Sequence, residues 1–506
     1  MRGRIDSRWC SKRAKKDEND WAIMSSRGAM FHPSIRRQRG DSPLHVQLYD
    51  RIRQAILTGT LPPGARLPSA RAMAQEACVA RGTVDVAYAR LTVEGFLVTR
   101  GAAGTFVTGA LPLPPRGASL APVQPQRAEP RAREALRPFR IGIPAVAAFP
   151  VSTWSRVLGR HSRRARAADL AYSDSCGDST LREAIAAHLA VSRGVITHAD
   201  QVVITSGFHG ALGLMAQALA KPGDQAWIED PGYFRAHSAL LLAGLRLAAV
   251  PVDAEGIDVA RGVALAPNAR FAFVTPSHQM PLGMALSLPR RLALLAWARS
   301  SGAWIVEDDY DGEYQYASTP LPALKSLDDR GLVLYAGTFS KSMFPTLRLG
   351  FLVVPDKARE PLARVANLLH PAPPLALQRA AADFLGEGHF ARHVRRMRTL
   401  YAERRAALLR ALDELGSPYL QIEHATSGLH LLVRLTGVRD DAVVAHAEAL
   451  GLAPGSLSLH QASPAKERLD GLLLGFAALP ASRARDAVQR LARAIELARQ
   501  HRGKET

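Results

Sequence analysis

The sequence has few cysteines, no long apolar run and a shortage of acidic residues. Its three cysteines, Cys10, Cys78 and Cys176, are not spaced as disulfide or zinc-ligand pairs. This argues against a disulfide framework or a metal site and favours a reducing cytoplasm. No apolar segment approaches the length of a transmembrane helix, so no membrane partner is expected.

The excess of basic residues is concentrated near the N-terminus. The chain has 65 Lys and Arg against 45 Asp and Glu, a formal net charge of +20. Residues 1–137 contain 23 basic and 11 acidic residues, so +12 of this charge lies in that part. The asymmetry predicts an anionic partner there. Residues 1–41 lack the apolar segment of a secretory signal and are predicted to be a basic disordered tail.

Residues 42–108 show the pattern of three helices followed by a hairpin. Apolar residues recur four apart in the first helix, and the segments LPSARAMAQEACV and ARGTVDVAYARLTVEG predict two more. FLVTRGAAGTFV has two β-branched runs around a glycine-rich turn, which is typical of a hairpin. This order predicts a winged helix-turn-helix domain. Its predicted core is Leu44, Leu48, Ile52, Ile56, Ala74, Val84, Ala87 and Leu91.

The remainder of the chain divides into a linker and an α/β region. Residues 109–137 are rich in Pro, Ala and Arg without a period, which predicts a linker. From 138 to 500, apolar β-rich segments alternate with helical ones, which predicts a mostly parallel sheet covered by helices. Long helices and short strands in about 385–500 predict a small α+β subdomain.

Polar residues follow several of the predicted strands, where ligands bind in open α/β sheets. VVITSG ends at Gly207, and the first amides of the next helix, from Phe208, can hold a phosphate. IEDPGYF places Tyr233 after a strand, where its ring can lie against a flat cofactor. Each signal alone is weak, since strand-glycine-helix turns are often simple joints and such a tyrosine is as often a core residue.

Two further segments carry stronger chemistry. WIVEDDYDGEY places Asp308 and Tyr310 two apart, so a carboxylate and a phenol can bind a pyridine nitrogen and a ring hydroxyl. The alternative is a metal-binding or solvated acidic loop. In YAGTFSKSMFPTLRLG, Lys341 follows a strand, and nearby hydroxyls and a guanidinium can bind a phosphate while the amine reaches an aldehyde. These phosphate candidates are Thr338, Ser340 and Arg348. Taken alone, Lys341 is more often a surface lysine.

The segments TSG, EDPGY, TPSHQMPLG, EDDYDGEY and GTFSKSMFPTLRLG, in this order, resemble the fingerprints of fold-type I pyridoxal-phosphate enzymes of the aminotransferase superfamily. With a GntR-type winged helix before them, residues 42–500 resemble the MocR-type transcriptional regulators. The resemblance implies that Lys341 forms a Schiff base with pyridoxal 5'-phosphate, Asp308 pairs with the pyridine nitrogen and Tyr310 contacts the ring hydroxyl. It places Tyr233 over the ring and His278, with Gln279, at the cofactor's edge. Around the phosphate it places Gly207, Phe208, Thr338, Ser340 and Arg348. A homodimer is also implied, because fold-type I domains pair to complete their sites.

Two positions depart from the aminotransferase pattern. Phe208 stands where a small or hydroxyl residue often contacts phosphate, and it offers only its amide. In GLLLGFA, Leu473 stands where an arginine usually binds the substrate carboxylate. A common amino acid therefore lacks its usual partner unless another arginine substitutes, and we expect the effector to be a cofactor vitamer or an unusual amine. The candidate substitutes are Arg434, Arg439 and Arg468.

The segments LPSAR and ARGTV resemble the GntR signature, which implies that Arg71, Arg81 and Thr83 approach double-stranded DNA. The second helix of such a pair presents its N-terminal residues to the major groove, and Gly104 lies in the predicted wing. Asp85, one turn after Arg81, repels phosphate. The alternative is that these arginines are solvated, or that the domain contacts proteins.

The sequence therefore predicts a cytoplasmic transcriptional regulator. Its pyridoxal-phosphate domain is expected to sense an amine or vitamer and to control promoter binding, without a complete catalytic cycle. The alternative is an active aminotransferase with an accessory N-terminal module. Leu473 and the basic N-terminal quarter favour the regulator.

Overall fold

The computed structural model describes residues 42–109, 136–315, 322–369, 371–423, 427–462 and 468–505. These described residues divide into two compact units, a first within residues 42–109 and a second within residues 136–505. The predicted tail, and residues 110–135 of the predicted linker, lie outside the described residues.

The described part of the first unit is a winged helix-turn-helix. It comprises α1 (Leu44–Leu57), α2 (Ala70–Glu76), α3 (Arg81–Val93) and the antiparallel strands β1 (Leu97–Thr99) and β2 (Thr105–Val107). The Ser69 hydroxyl accepts a hydrogen bond from the Ala72 amide at 3.2 Å and so caps α2. Leu48, Ile52 and Leu91 are fully buried between α1 and α3, as the apolar spacing predicts. Leu44 is only half-buried, because it is the first residue of α1.

An eight-stranded sheet forms the centre of the second unit. Its strands are β3 (Val202–Thr205), β4 (Gln225–Asp230), β5 (Arg246–Asp253), β6 (Gly256–Ile257), β7 (Phe271–Val274), β8 (Trp304–Asp309), β9 (Val333–Thr338) and β10 (Gly350–Val353). They lie in the order β3-β10-β9-β8-β7-β4-β5-β6. The pairs from β9 through β8, β7 and β4 to β5 are parallel, which confirms the predicted mostly parallel sheet. β10 is antiparallel to both of its neighbours, β3 and β9.

Helices cover both faces of this sheet. They are α4 (Val151–Arg163), α5 (Ser179–Ser192), α6 (Phe208–Leu219), α7 (Phe234–Leu242), α8 (Val259–Leu265), α9 (Leu288–Ser301), α10 (Asp356–Leu369), α11 (Leu375–Gly386) and α12 (His389–Leu415). Alternate strand residues join different cores, as the period of two requires. Ile228 packs in one core with Met215 of α6 and Leu362 of α10. Trp227 packs in another and stacks on Trp297 of α9, with ring centroids 3.7 Å apart.

A second, antiparallel sheet lies in the C-terminal part of the same unit. Its strands β11 (Leu420–Glu423), β12 (His430–Leu435), β13 (Gly455–Ser456) and β14 (Gly471–Gly475) have the order β11-β12-β14-β13, and α13 (Asp440–Ala449) and α14 (Ala484–Glu505) accompany them. Phe139 bridges to Gly475 of β14, so the segment that follows Phe139 starts from the second sheet. No helix among the described residues has the length and apolarity needed to cross a bilayer.

Candidate functional site

The candidate site lies where β3, β8 and β9 end and β10 begins. Gly350, the first residue of β10, pairs with Thr205 at the end of β3 and with Thr338 at the end of β9. Gly207 approaches closely, since a Cβ built at position 350 would lie 2.8 Å from its Cα. The turn before α6 and the loop after β9 are therefore adjacent, although they are far apart in the sequence.

Lys341, in the turn after β9, extends to the segment that arrives from the second sheet. Its Nζ donates a hydrogen bond to the carbonyl oxygen of Gly142 at 2.8 Å. Burial lowers the pKa of Lys341, while the carboxylates of Asp311 and Asp308 partly oppose this effect. A lowered pKa increases the fraction of neutral amine, the nucleophilic form.

Asp308, in β8, is a buried carboxylate with an unused oxygen. Its Oδ1 has no hydrogen-bond partner among the described residues. Burial, together with Asp309 and Asp311, raises the pKa of Asp308 well above its usual value. An unpaired buried polar atom is costly, so this position favours a ligand with a protonated nitrogen. Burial and then the charge of Asp308 raise the pKa of Tyr233 to about 12, so this phenol and the carboxylate are electrostatic neighbours.

Tyr310 contacts a buried histidine and not a solvent-facing group. Its Oη lies 2.8 Å from Nδ1 of His278, and that nitrogen lies 3.0 Å from Oδ2 of Asp311. Gly428 packs directly on this imidazole, because a Cβ at position 428 would lie 1.9 Å from Cε1 of His278. His278 therefore reaches the site through Tyr310.

Gln279 has a structural role within the described contacts. Its Nε2 donates to Oε2 of Glu229 at 3.1 Å and to the carbonyl oxygen of Pro231 at 2.9 Å, while its Oε1 accepts from the amide of Leu282. The side chain is buried, and these contacts hold the loops after β4 and β7 together. The predicted position of Gln279 at the cofactor's edge stays a prediction.

The predicted phosphate residues surround the start of α6. Gly207, with φ +84°, precedes the helix, and Phe208 begins it. The Thr338 hydroxyl hydrogen-bonds the Ser340 hydroxyl at 3.0 Å and accepts from the Ser340 amide at 3.2 Å. Arg348 has a left-handed backbone conformation just before β10. These groups converge from three separate chain segments.

Sequence reasoning missed two basic residues beside this position. Burial and the positive charges of Arg235, Arg348 and Lys341 lower the pKa of His209, so these four basic groups are close neighbours. His209 follows Phe208 in the first turn of α6, and its ring centroid lies 6.3 Å from that of Tyr233. His209 lies two positions after Gly207, and Arg235 lies two positions after Tyr233, each in the first turn of a helix. This spacing from a motif residue was the signal that the sequence offered. Such a cluster of positive charge favours an anion.

Sequence reasoning also missed the hydrogen bonds that hold the residue next to Asp308. The neighbouring Asp309 accepts a hydrogen bond from Nε of Arg193 at 2.7 Å and another from the Tyr335 hydroxyl at 2.5 Å. Arg193 further donates to the Ser277 hydroxyl at 2.5 Å. These buried contacts fix the end of β8. Arg193 lies on the segment after α5, far from Asp309 in the sequence, and no local pattern marks it.

Leu473 contributes to an apolar wall of the site. It is 0% exposed and packs with Met280, Leu432 and Leu457. Tyr233 and Tyr310 pack against the same cluster. Leu473 is therefore covered by its neighbours, and the apolar wall that they form lies against the two tyrosines of the site.

The three arginines considered as substitutes for Leu473 are engaged elsewhere. Arg434 pairs with Glu423 at 3.3 Å, and Arg439 pairs with Asp441 at 2.5 Å. Arg468 pairs at 2.8 Å with both Asp440 and Asp470. Each guanidinium thus already has a carboxylate partner, which argues against a second role in binding a ligand carboxylate.

The predicted DNA-binding residues of the winged helix lie on its surface or close to it. Arg71 is exposed on α2, Arg81 begins α3 and is 71% exposed, and Thr83 is half-buried one residue before the buried Val84. Arg81 Nε lies 3.6 Å from Oδ2 of Asp85. The helix start thus presents a paired arginine and not an isolated cation.

The wing carries a basic residue that sequence reasoning missed. Gly104 has φ +105°, and a Cβ there would lie 3.1 Å from Nε of Arg66. Arg66 pairs with Phe106 in an isolated bridge. Arg66 follows the turn after α1, and no local sequence pattern indicates that it lies beside the wing.

Comparison with known proteins identifies both parts of the chain. Residues 44–107 match the family described as "Bacterial regulatory proteins, gntR family", and residues 152–450 match "Aminotransferase class I and II". The probable rhizopine catabolism regulatory protein MocR of Rhizobium meliloti is 38% identical over 470 residues, which cover 89% of this chain and 93% of that protein. The chain belongs to the MocR-type transcriptional regulators.

Other MocR-type and aminotransferase relatives agree with this assignment. The pyridoxine biosynthesis regulator PdxR of Corynebacterium glutamicum is 33% identical, over 85% of this chain and 91% of that protein. Among solved structures, LysN, the α-aminoadipate aminotransferase of Thermus thermophilus, matches with 28% identity and a TM-score of 0.65, covering 71% of this chain and 92% of LysN. The predicted combination of a GntR-type winged helix with a fold-type I aminotransferase fold is confirmed. Class I and II aminotransferases depend on pyridoxal phosphate, so this MocR-type regulator is expected to use it.

Proposed function

We propose that this MocR-type regulator binds pyridoxal 5'-phosphate at the edge of the eight-stranded sheet, and that a ligand bound there controls its affinity for promoter DNA. The observation that carries the proposal is the unpartnered, buried Oδ1 of Asp308, unpartnered among the described residues, in a site that also contains the buried amine of Lys341. A pyridine ring with a protonated nitrogen would satisfy Asp308, and an aldehyde on that ring would meet Lys341.

The residues around these two groups suit the remaining parts of the cofactor. Tyr310 would donate a hydrogen bond to a ring oxygen, and Tyr233 would cover the ring. The phosphate would be held by the Gly207 and Phe208 amides, the hydroxyls of Thr338 and Ser340, and Arg348. We assign His278 to support of Tyr310, not to direct contact. When bound, pyridoxal phosphate supplies an electron-withdrawing ring and an aldehyde that combines reversibly with amines.

The apolar wall limits which ligands the site accepts. A carboxylate placed against Leu473 would lose water without gaining a cation, because Arg434, Arg439 and Arg468 are already paired. We therefore propose a vitamer or an amine without an α-carboxylate as the effector. The name of PdxR refers to pyridoxine biosynthesis, which supports the vitamer for this chain too.

The winged helix is proposed to bind promoter DNA through Arg71, Arg81, Thr83 and the wing at Gly104. The matching GntR family supports this use of the domain. We also propose a homodimer. Leu170 is 79% exposed and Tyr172 is fully exposed on the segment after α4, and apolar groups of this size favour burial against a second copy.

The test uses the full chain and a duplex from its own promoter region. Fluorescence anisotropy would measure the dissociation constant at modest salt with and without pyridoxal phosphate, and then with added amines. We expect the cofactor to change the constant about fivefold or more, the usual range of coupling between sites. Lys341→Ala should bind the duplex but lose both the visible absorbance of covalently held cofactor and the coupling. A wild-type protein without that absorbance, or without DNA binding, would contradict the proposal.

A competing assignment as an active aminotransferase makes a different prediction. It requires repeated turnover of an amino acid and a keto acid, and hence a partner for their carboxylates. Since Leu473 offers none, we expect no turnover above that of Lys341→Ala. Sustained keto acid formation by the wild type would favour the enzyme.

A further inference from the structure

Three side chains behind the candidate cofactor site form a continuous chain of contacts. Nδ1 of His278 lies 3.0 Å from Oδ2 of Asp311 and 2.8 Å from Oη of Tyr310. The side chains of His278 and Asp311 are each 2% exposed. The same imidazole nitrogen therefore faces both a carboxylate and a phenol in a site largely shielded from water.

The chemistry of the carboxylate decides where the protons lie. An ionised Asp311 can only accept hydrogen bonds, so Nδ1 of His278 must carry its proton. Tyr310 cannot then donate to that nitrogen, and its oxygen faces an N–H group. The second imidazole nitrogen, Nε2, is buried without a hydrogen-bond partner among the described residues, which agrees with the neutral Nδ1–H tautomer.

The Tyr310 hydroxyl proton is thus directed away from His278. Among the described residues, its remaining hydrogen-bond contact is the weak acceptor Sδ of Met280, at 3.9 Å. Gly428 lies against Cε1 of the same imidazole, since a Cβ built at position 428 would be 1.9 Å from that atom. The hydroxyl is therefore held ready to donate to a stronger acceptor on the site side.

We propose that Asp311 and His278 are positioning residues that fix the direction of the Tyr310 hydroxyl proton, and so select ligands whose pyridine ring carries an anionic oxygen. The inference rests on the proposed function, because the ring is that of a vitamer. The proposed function assigns no part to Asp311, whereas here Asp311 and His278 orient Tyr310 without touching the ligand.

The test compares two alcohol vitamers that form no covalent bond with Lys341. Equilibrium dialysis of the full chain would give dissociation constants for pyridoxine 5'-phosphate and for its analogue without the ring hydroxyl. Their ratio measures preference for the hydroxyl, independently of general damage to the site. Tyr310→Phe gives the ratio expected when the contact is absent, and Asp200→Asn is a matched control, since Asp200 pairs with Arg359 at the surface.

Asp311→Asn should reduce the preference about tenfold or more, because a neutral amide no longer requires a proton on Nδ1, so the Nε2–H tautomer of His278 can accept the Tyr310 proton. His278→Leu should do the same, whereas His278→Asn keeps an N–H donor near the Nδ1 position and should retain most of the preference. If Asp311→Asn fails to fold, the two His278 variants decide by the same ratio.

The outcomes separate the inference from the proposed function. If Tyr310→Phe loses the preference while Asp311→Asn and His278→Leu keep it, the positioning role is wrong and the cofactor site stands. If Tyr310→Phe keeps the preference, Tyr310 does not contact the hydroxyl and the inference is overturned. If the wild type binds neither vitamer and no pyridoxal phosphate, the proposed function fails, and the inference with it.

Discussion

Lys341 donates its Nζ hydrogen bond to the backbone of Gly142, a residue 199 positions earlier in the chain. Gly142 has φ +78°, and a Cβ there would lie 2.9 Å from that nitrogen. The amine and the backbone that encloses it are thus in direct contact, which makes Gly142 a sensitive position for the site.

Gly142→Ala should prevent normal cofactor loading. The methyl group would displace the Lys341 amine, and the left-handed backbone would add strain of about 1–3 kcal/mol. Absorbance of bound cofactor and thermal unfolding measure the two effects. Gly386→Ala is the control, since no atom of the described residues lies within 4 Å of its added Cβ, and it should leave loading intact. Full loading of Gly142→Ala would show that the contact is unimportant.

Asp308→Asn should weaken cofactor binding yet stabilise the cofactor-free protein. Loss of a charged partner for the ring nitrogen should cost about 10-fold to 100-fold in affinity. Folding raises the pKa of Asp308 well above its usual value. The free energy of unfolding of the wild type should therefore fall as pH rises above about 4, the pKa of an aspartate in the unfolded chain. The asparagine has no such loss. Denaturant titrations of the cofactor-free proteins at pH 5 and pH 8 check this, and equal pH dependence in both proteins would contradict it.

Leu473→Arg should create a response to common amino acids while destabilising the protein. A guanidinium among Met280, Leu432 and Leu457 lacks a partner and should cost about 3–5 kcal/mol. An α-amino acid could supply the carboxylate, so its addition should raise the melting temperature of the variant more than that of wild type or Leu473→Met. A variant with no such ligand effect would indicate that position 473 does not face the bound ligand.

His393→Leu should make stability less sensitive to acid. Burial, with the positive charge of Arg396, lowers the pKa of His393 to about 4, whereas the unfolded chain takes up this proton near pH 6.5. Wild-type stability should therefore fall as pH drops from about 6.5 towards 4, by up to about 3 kcal/mol from this residue. The leucine variant should lose less over the same range in denaturant titrations. An identical loss of stability in the wild type and the leucine variant would show that folding does not lower the pKa of His393.

Arg81 and Asp85 should have opposite effects on DNA binding. Arg81→Ala should weaken promoter binding by about 1–3 kcal/mol if the side chain contacts a base, and should lower the salt slope by about 1 if it contacts phosphate. Asp85→Asn removes a charge 3.6 Å from Arg81 that repels the backbone, so binding to unrelated duplexes should tighten. Anisotropy at several salt concentrations separates these effects. Arg299→Ala, which breaks a surface pair with Asp329 in the second unit, is the control.

Much of the fold could be predicted from local pattern, but the contacts that complete the site could not. The spacing of Leu48, Ile52 and Leu91 predicts the helical core of the first unit, and the alternation of strands and helices predicts the parallel sheet. By contrast, Gly142 and Lys341 are 199 positions apart, and no periodic pattern in the sequence predicts their contact. These contacts depend on register and packing in three dimensions.

The candidate site shows the same division. Asp308, Tyr310 and Lys341 carry local motifs because strand ends place them at one edge. His209 and Arg193 lack such motifs, and their roles follow from charged neighbours contributed by other segments. Gln279 shows the converse case, since it lies inside a motif while its amide hydrogen-bonds the loops around it, and its contact with the cofactor stays a prediction.

Leu473 lies on β14 of the second sheet, whereas Asp308 and Lys341 lie at the edge of the first. The residues proposed to hold the cofactor and the residue proposed to choose its effector thus belong to two different sheets of one unit. We therefore expect substitutions in the second sheet to change which ligand is recognised without altering the residues proposed to hold the cofactor. On the proposed function, changes at a few positions of β14 and its neighbours would alter the effector while the residues proposed to hold the cofactor stay the same.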